Sequence, residues 1–124
     1  SHRSRATGAD VATLLSRGTR TVEDWKTALA ALAHGDANYR QAAIREEDLW
    51  HVVEDPRAGE DARAAAALLL RKGLDAPGKT RVRVAAEATA SPKLRIALEA
   101  ATEEDDEAAF EALKPLRAAA FEDR

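Results

Sequence analysis

The sequence predicts an all-α protein, a compact irregular bundle of about seven or eight short helices. Three observations carry that prediction. The 124 residues hold 30 alanines and 13 leucines against two isoleucines, six valines and five aromatics, so helix formers dominate and residues that pack a pleated sheet are scarce. Apolar side chains recur three and four residues apart rather than alternating. Three expected helices also end in a cationic residue or histidine followed by glycine, at Arg17-Gly18, His34-Gly35 and Lys72-Gly73. A cation suits the partial negative charge of a helix C-terminus, and glycine suits the residue just past it.

Length and charge bound the rest. A chain of 124 residues supports one core. Residues 1–8 carry His2, Arg3 and Arg5 with no apolar side chain larger than alanine, so they are expected as a basic flexible arm, with residues 9–122 as a single helical domain. The longest wholly apolar run, Ala64 to Leu70, is too short to span a bilayer. No cysteine is present, which removes disulfides, thiolate metal sites and a cysteine nucleophile. No methionine is present either, so the chain is expected to be a piece of a longer protein.

Each element has a local reason. Asp10 is placed to cap a first short helix with Val11, Leu14 and Leu15 on one stripe. Thr21 followed by Asp24 resembles a capping box, and Val22, Trp25, Leu29 and Leu32 continue that helix at the right spacing. A short helix is expected over 36–44, laying Tyr39 and Ile44 on the core. Glu46, Glu47 and Asp48 put negative charge at the start of the next helix, whose Leu49, Trp50, Val52 and Val53 face inward until Pro56 stops it. Glu60 and Asp61 open a helix of Ala62 to Lys72 with Gly73 as a left-handed cap. Pro77-Gly78 marks a turn before a helix over 79–90 bearing Val82 and Val84. The alternation Arg81-Val82-Arg83-Val84 also reads as a strand, but a lone strand has no partner here. Ser91-Pro92 starts the following helix with a cap and a first-turn proline. Glu103 to Glu107 lead into a last helix with Phe110 and Leu113, ended or kinked by Pro115 before Leu116 and Phe121.

Two resemblances add to this reading. Glu54-Asp55-Pro56 followed by Ala62 to Leu70 resembles one HEAT-type helical repeat, so the bundle is expected to be HEAT-like in part, although no second copy recurs at that period. The strings Val22-Glu23-Asp24-Trp25, Leu49-Trp50-His51-Val52-Val53-Glu54-Asp55-Pro56, Arg81 to Ala88 and Ser91 to Glu99 resemble an uncharacterised helical module at the cytoplasmic ends of myxobacterial membrane proteins. That resemblance implies a cytoplasmic place, as the soluble domain of a membrane-anchored parent, and carries no site residue with it.

Catalytic chemistry is thin. The six glycines stand singly, so no phosphate-cradling loop is present, and Ser4, Ser16 and Ser91 stand in no nucleophile motif. The expectation is a non-enzyme with no cofactor. His51, with Glu47 one turn before and Glu54 three residues after, offers a weak divalent-ion site, and a half-exposed histidine paired with a carboxylate is the simpler reading. His34 reads as a cation at a helix end. Trp25 and Trp50 read as core anchors whose indole N–H groups need partners.

Charge is more informative. The net charge is −3, yet the signs are segregated. Arg71, Lys72, Lys79, Arg81, Arg83, Lys93 and Arg95 fall in one stretch with only two acids, and seven acids without a base follow from Glu99 to Glu111. Those seven cations are the candidate interaction surface, helped by Arg3, Arg5, Arg17 and Arg20. They face an unidentified protein partner, or an anionic membrane surface reached through the parent protein. Solvated faces that neutralise each other within the fold are the plainer reading. Nucleic acid is disfavoured by the acidic balance, and a homodimer through the alanine-rich face is open. The function expected is a non-catalytic helical interaction or regulatory module of a larger bacterial protein; the alternative is a small-molecule or metal-responsive regulatory domain at Trp50 and His51.

Overall fold

A computed structural model of the chain describes residues 8–33 and 44–117. Among these residues there are seven α-helices and no strand: α1 (Gly8–Leu15), α2 (Val22–Ala33), α3 (Glu46–Glu54), α4 (Glu60–Leu70), α5 (Ala76–Ala88), α6 (Pro92–Ala101) and α7 (Asp106–Glu111). The expected arm ends inside α1, since Gly8 is already helical, and residues 1–7 lie outside the described residues. So does the helix expected over 36–44, except for Ile44, which packs half-buried against the core.

The core is organised around α4. Residues Asp61 to Leu68 are buried without a break, and α4 packs against α1, α2, α3 and α6. Alanine makes this possible, because Ala64 to Ala67 leave only methyl groups between neighbouring backbones. The large buried side chains come from the surrounding helices, namely Val11, Leu15, Trp25, Leu29, Val53, Leu94 and Leu98. The pairs α3–α4 and α5–α6 form two helical hairpins, with α4 on α6 and α3 on α5.

Local chemistry sets most boundaries. Asp24 N–H donates to Thr21 Oγ1 at 3.0 Å, which forms one half of the expected box. Asp48, buried in α3, accepts from the Arg45 amide at 2.9 Å. Ser91 accepts from Leu94 N–H at 3.2 Å with Pro92 in the first turn of α6, as its sequence indicates.

Four expectations are corrected. Pro77-Gly78 is not a turn before α5 but its first turn, because Asp75 caps the helix by accepting from Gly78 N–H at 2.9 Å and proline lacks only an N–H that would be unpaired there. Gly73 is not a left-handed cap: α4 tightens into a 3-10 turn over Arg71–Gly73, and Gly18 is the described residue with positive φ, at 59°. Val84, counted with the apolar residues of α5, is 59% exposed. The last helix ends at Glu111, and Leu113 and Leu116 reach the core from the turns beyond it.

Candidate interaction surface

The structure divides the seven candidate cations into two groups. Arg71, in the 3-10 turn, sends its guanidinium to the Asp106 carboxylate and the Glu103 carbonyl, and its Nε is buried with no partner. Lys72 and Lys79 line the same cleft of about 290 Å³ with Glu103, Glu104 and Asp106. The hydrogen bond from Arg71 and the charges of Lys72 and Arg71 hold the Asp106 carboxyl below the usual carboxylate range. The basic and acidic runs therefore meet and offset each other at this end of the α5–α6 hairpin.

Arg81 is committed to the fold in another way. Its Nε and Nη2 donate to Glu54 at 2.6 and 2.8 Å, a two-pronged pair, and its guanidinium lies 4.2 Å from the centre of the Trp50 ring. The hydrogen bond and charge of Arg81, helped by the charge of His51, lower the Glu54 pKa against an opposing contribution from burial. Because the folded pKa is depressed, the stabilisation is present above the unfolded value of about 4.3 and is lost as pH falls through the folded one. Both side chains are about half exposed, so screening leaves the pair about 0.5 to 1 kcal/mol. Arg81→Ala is expected to cost about 1 kcal/mol at neutral pH, ring stacking included. Urea titrations should show that cost shrinking below pH 4 without vanishing, since stacking on Trp50 does not titrate.

The remaining cations pair with no carboxylate among the described residues. Arg95 Nη2 donates to the Thr89 carbonyl at 3.1 Å, just past the end of α5, and Arg83 and Lys93 are exposed with no ion pair among the described residues. The two large hydrophobic side chains exposed among the described residues, Val84 and Ile96, each at 59%, stand on the same two helices. Arg83 precedes Val84 directly, and Lys93 shares the face of Ile96 at a spacing of three. Glu87 and Glu99 are exposed one turn further on, so the surface is only slightly basic.

The other candidates gain less. His51 is exposed, and no group of three metal-ligating side chains converges among the described residues. Trp50 is buried with its ring covered by Arg81, so it presents no open aromatic wall. Trp25 is fully buried and donates its indole N–H to the Leu15 carbonyl at 2.8 Å. Ala64 to Ala67 are enclosed within one protomer and offer no face to a second copy. His34, Arg3 and Arg5 lie outside the described residues. Arg17 and Arg20 do not join the α5–α6 surface by any bond; Arg17 reaches the Leu116 carbonyl at 3.1 Å. Sequence reading missed that meeting of Arg17 with the segment around Arg117, because a contact 99 residues apart leaves no local pattern. No helix of the described residues is long and apolar enough to cross a membrane. Against known proteins, no family model, curated protein or solved structure matches the chain.

Proposed function

We propose that the chain is a non-catalytic helical interaction module, whose working surface is the outer side of α5 and α6 around Arg83, Val84, Lys93, Arg95 and Ile96. The observation that carries this reading is the pairing of both exposed large hydrophobics with cations that no carboxylate of the described residues engages. The partner is a protein segment with apolar side chains flanked by acids. Apolar burial supplies the affinity and charge sets orientation, since Glu87 and Glu99 leave little net charge for attraction alone. By analogy, the two stacked hairpins support the reading, because HEAT-type stacks use their exposed helices as binding surfaces. We also propose a cytoplasmic setting within a larger, membrane-anchored bacterial protein, on the resemblance of the sequence alone.

The test compares three proteins by quantitative cross-linking and affinity capture: the unaltered chain, Val84→Asp with Ile96→Asp, and Arg83→Glu with Lys93→Glu and Arg95→Glu. Helicity should be unchanged in both variants, because every altered side chain is exposed. The apolar variant is expected to lose the specific partner entirely, and the charge variant to weaken capture in a salt-dependent way. Equal capture by all three proteins refutes the surface.

A further inference from the structure

Among the described residues, the guanidinium groups of the turn between α1 and α2 have no carboxylate partner. Arg17, Gly18, Thr19, Arg20 and Arg117 line a cleft of about 240 Å³, and a larger concavity on the Asp61 side shares Arg17 to Arg20 with it. The frame is already fixed. Asp61 Oδ2 accepts from Ser16 Oγ at 2.8 Å and from the Arg17 amide at 2.7 Å, while its Oδ1 accepts from the Ala62 amide. Arg17 Nε donates to the Arg20 carbonyl at 2.9 Å and its Nη1 to the Leu116 carbonyl at 3.1 Å. Arg20 returns Nε to the Arg17 carbonyl at 3.3 Å and Nη2 to the Ser16 carbonyl.

These bonds use Nε and one terminal nitrogen of each arginine. Among the described residues, Arg17 Nη2, Arg20 Nη1 and the whole of Arg117 have no partner. Nor do the amides of Gly18 and Thr19, both on exposed residues, with Gly18 at φ 59°. Successive unpaired amides at a left-handed residue form the backbone half of an anion cradle, and planar guanidinium forks form the side-chain half. Asp61, the carboxylate bonded to the Arg17 amide, has both oxygens engaged beneath the turn and is 1% exposed.

We infer that this cleft binds a phosphate-class oxyanion, held by Arg17, Arg20 and Arg117 and by the amides of Gly18 and Thr19. The cleft, of about 240 Å³, has room for a tetrahedral anion, inorganic phosphate or the phosphate end of an ester. Arg17 also staples the turn to the segment at Leu116 and Arg20 braces the turn from within, so their loss would mix binding with folding. Arg117 makes no bond to the described residues and is the residue to test.

Inorganic phosphate titrated into the full chain at constant ionic strength should shift the amide resonances of Gly18 and Thr19 saturably, and sodium chloride should not. Arg117→Ala should weaken binding about fivefold, as expected for one exposed charge contact, and leave the remaining spectrum in place. Absence of saturable shifts at the two amides overturns the inference, and so does an Arg117→Ala variant that titrates like the unaltered chain. Glycerol 3-phosphate and vesicles containing phosphatidic acid separate the sources. Vesicle co-sedimentation lost in Arg117→Ala assigns a lipid headgroup; shifts with the soluble ester and no co-sedimentation assign a small molecule.

Discussion

Asp61→Ala is expected to lower the unfolding free energy by about 3 kcal/mol, the cost of removing a buried charged acceptor and stranding its donors. The side chain is 1% exposed and accepts from Ser16 Oγ and from the amides of Arg17 and Ala62. Its removal leaves the hydroxyl and the Arg17 amide without a buried acceptor and frees the turn that α1 and α2 share. Against a total of about 5 to 15 kcal/mol for a domain, that loss is large. Chemical denaturation should show a lower midpoint at an unchanged slope. Ser16→Ala removes one donor and leaves the other two bonds, so it should cost only about 1 kcal/mol. An Asp61→Ala loss no larger than that of Ser16→Ala would show that the carboxylate contributes little beyond its bond to the hydroxyl.

Trp25→Ala is expected to cost about 4 kcal/mol, the range for emptying a fully buried large aromatic site. Trp25→Phe keeps most of the ring volume and removes the indole N–H that donates to the Leu15 carbonyl at the end of α1. That carbonyl is one of those a helix C-terminus leaves unpaired, so the phenylalanine variant should lose about 1 to 2 kcal/mol. The two substitutions separate packing from polar satisfaction. A neutral phenylalanine variant would mean that solvent or a neighbouring donor satisfies Leu15 equally well.

Features with a local cause were legible in the sequence. Ser91-Pro92 and Thr21 with Asp24 act through bonds three residues long, and Trp25 and Leu29 sit inward as their spacing requires. Pro77 was misread because proline serves a turn and the first turn of a helix equally well; the deciding residue was Asp75, three before Gly78. Gly73 was misread because a lysine-glycine ending does not distinguish a left-handed stop from a tightening into a 3-10 turn. The candidate surface was legible as a run of cations and illegible as a site. Asp106 returns to Arg71 across 35 residues and Glu54 reaches Arg81 across 27, and only folding shows which cations those acids engage. The burial of Arg63 within α4 also ran against its residue type. Its Nε donates to the Val53 carbonyl at 2.9 Å, and burial lowers its pKa while the charges of Asp55 and Glu60 oppose that shift.

The alanine cladding of α4 has a cost in uniqueness. Four successive identical side chains make the middle of the helix nearly indifferent to a slip of one residue or a rotation of 100° about its axis, since a methyl group would meet each neighbour either way. The two ends remove that degeneracy. Asp61 is pinned to the turn at Ser16 and Arg17, Arg63 to the Val53 carbonyl, and Leu68 and Leu70 fill holes that alanine would leave empty. The buried polar pair thus selects one register from several of similar packing energy, a role that concerns which structure forms more than how firmly it holds.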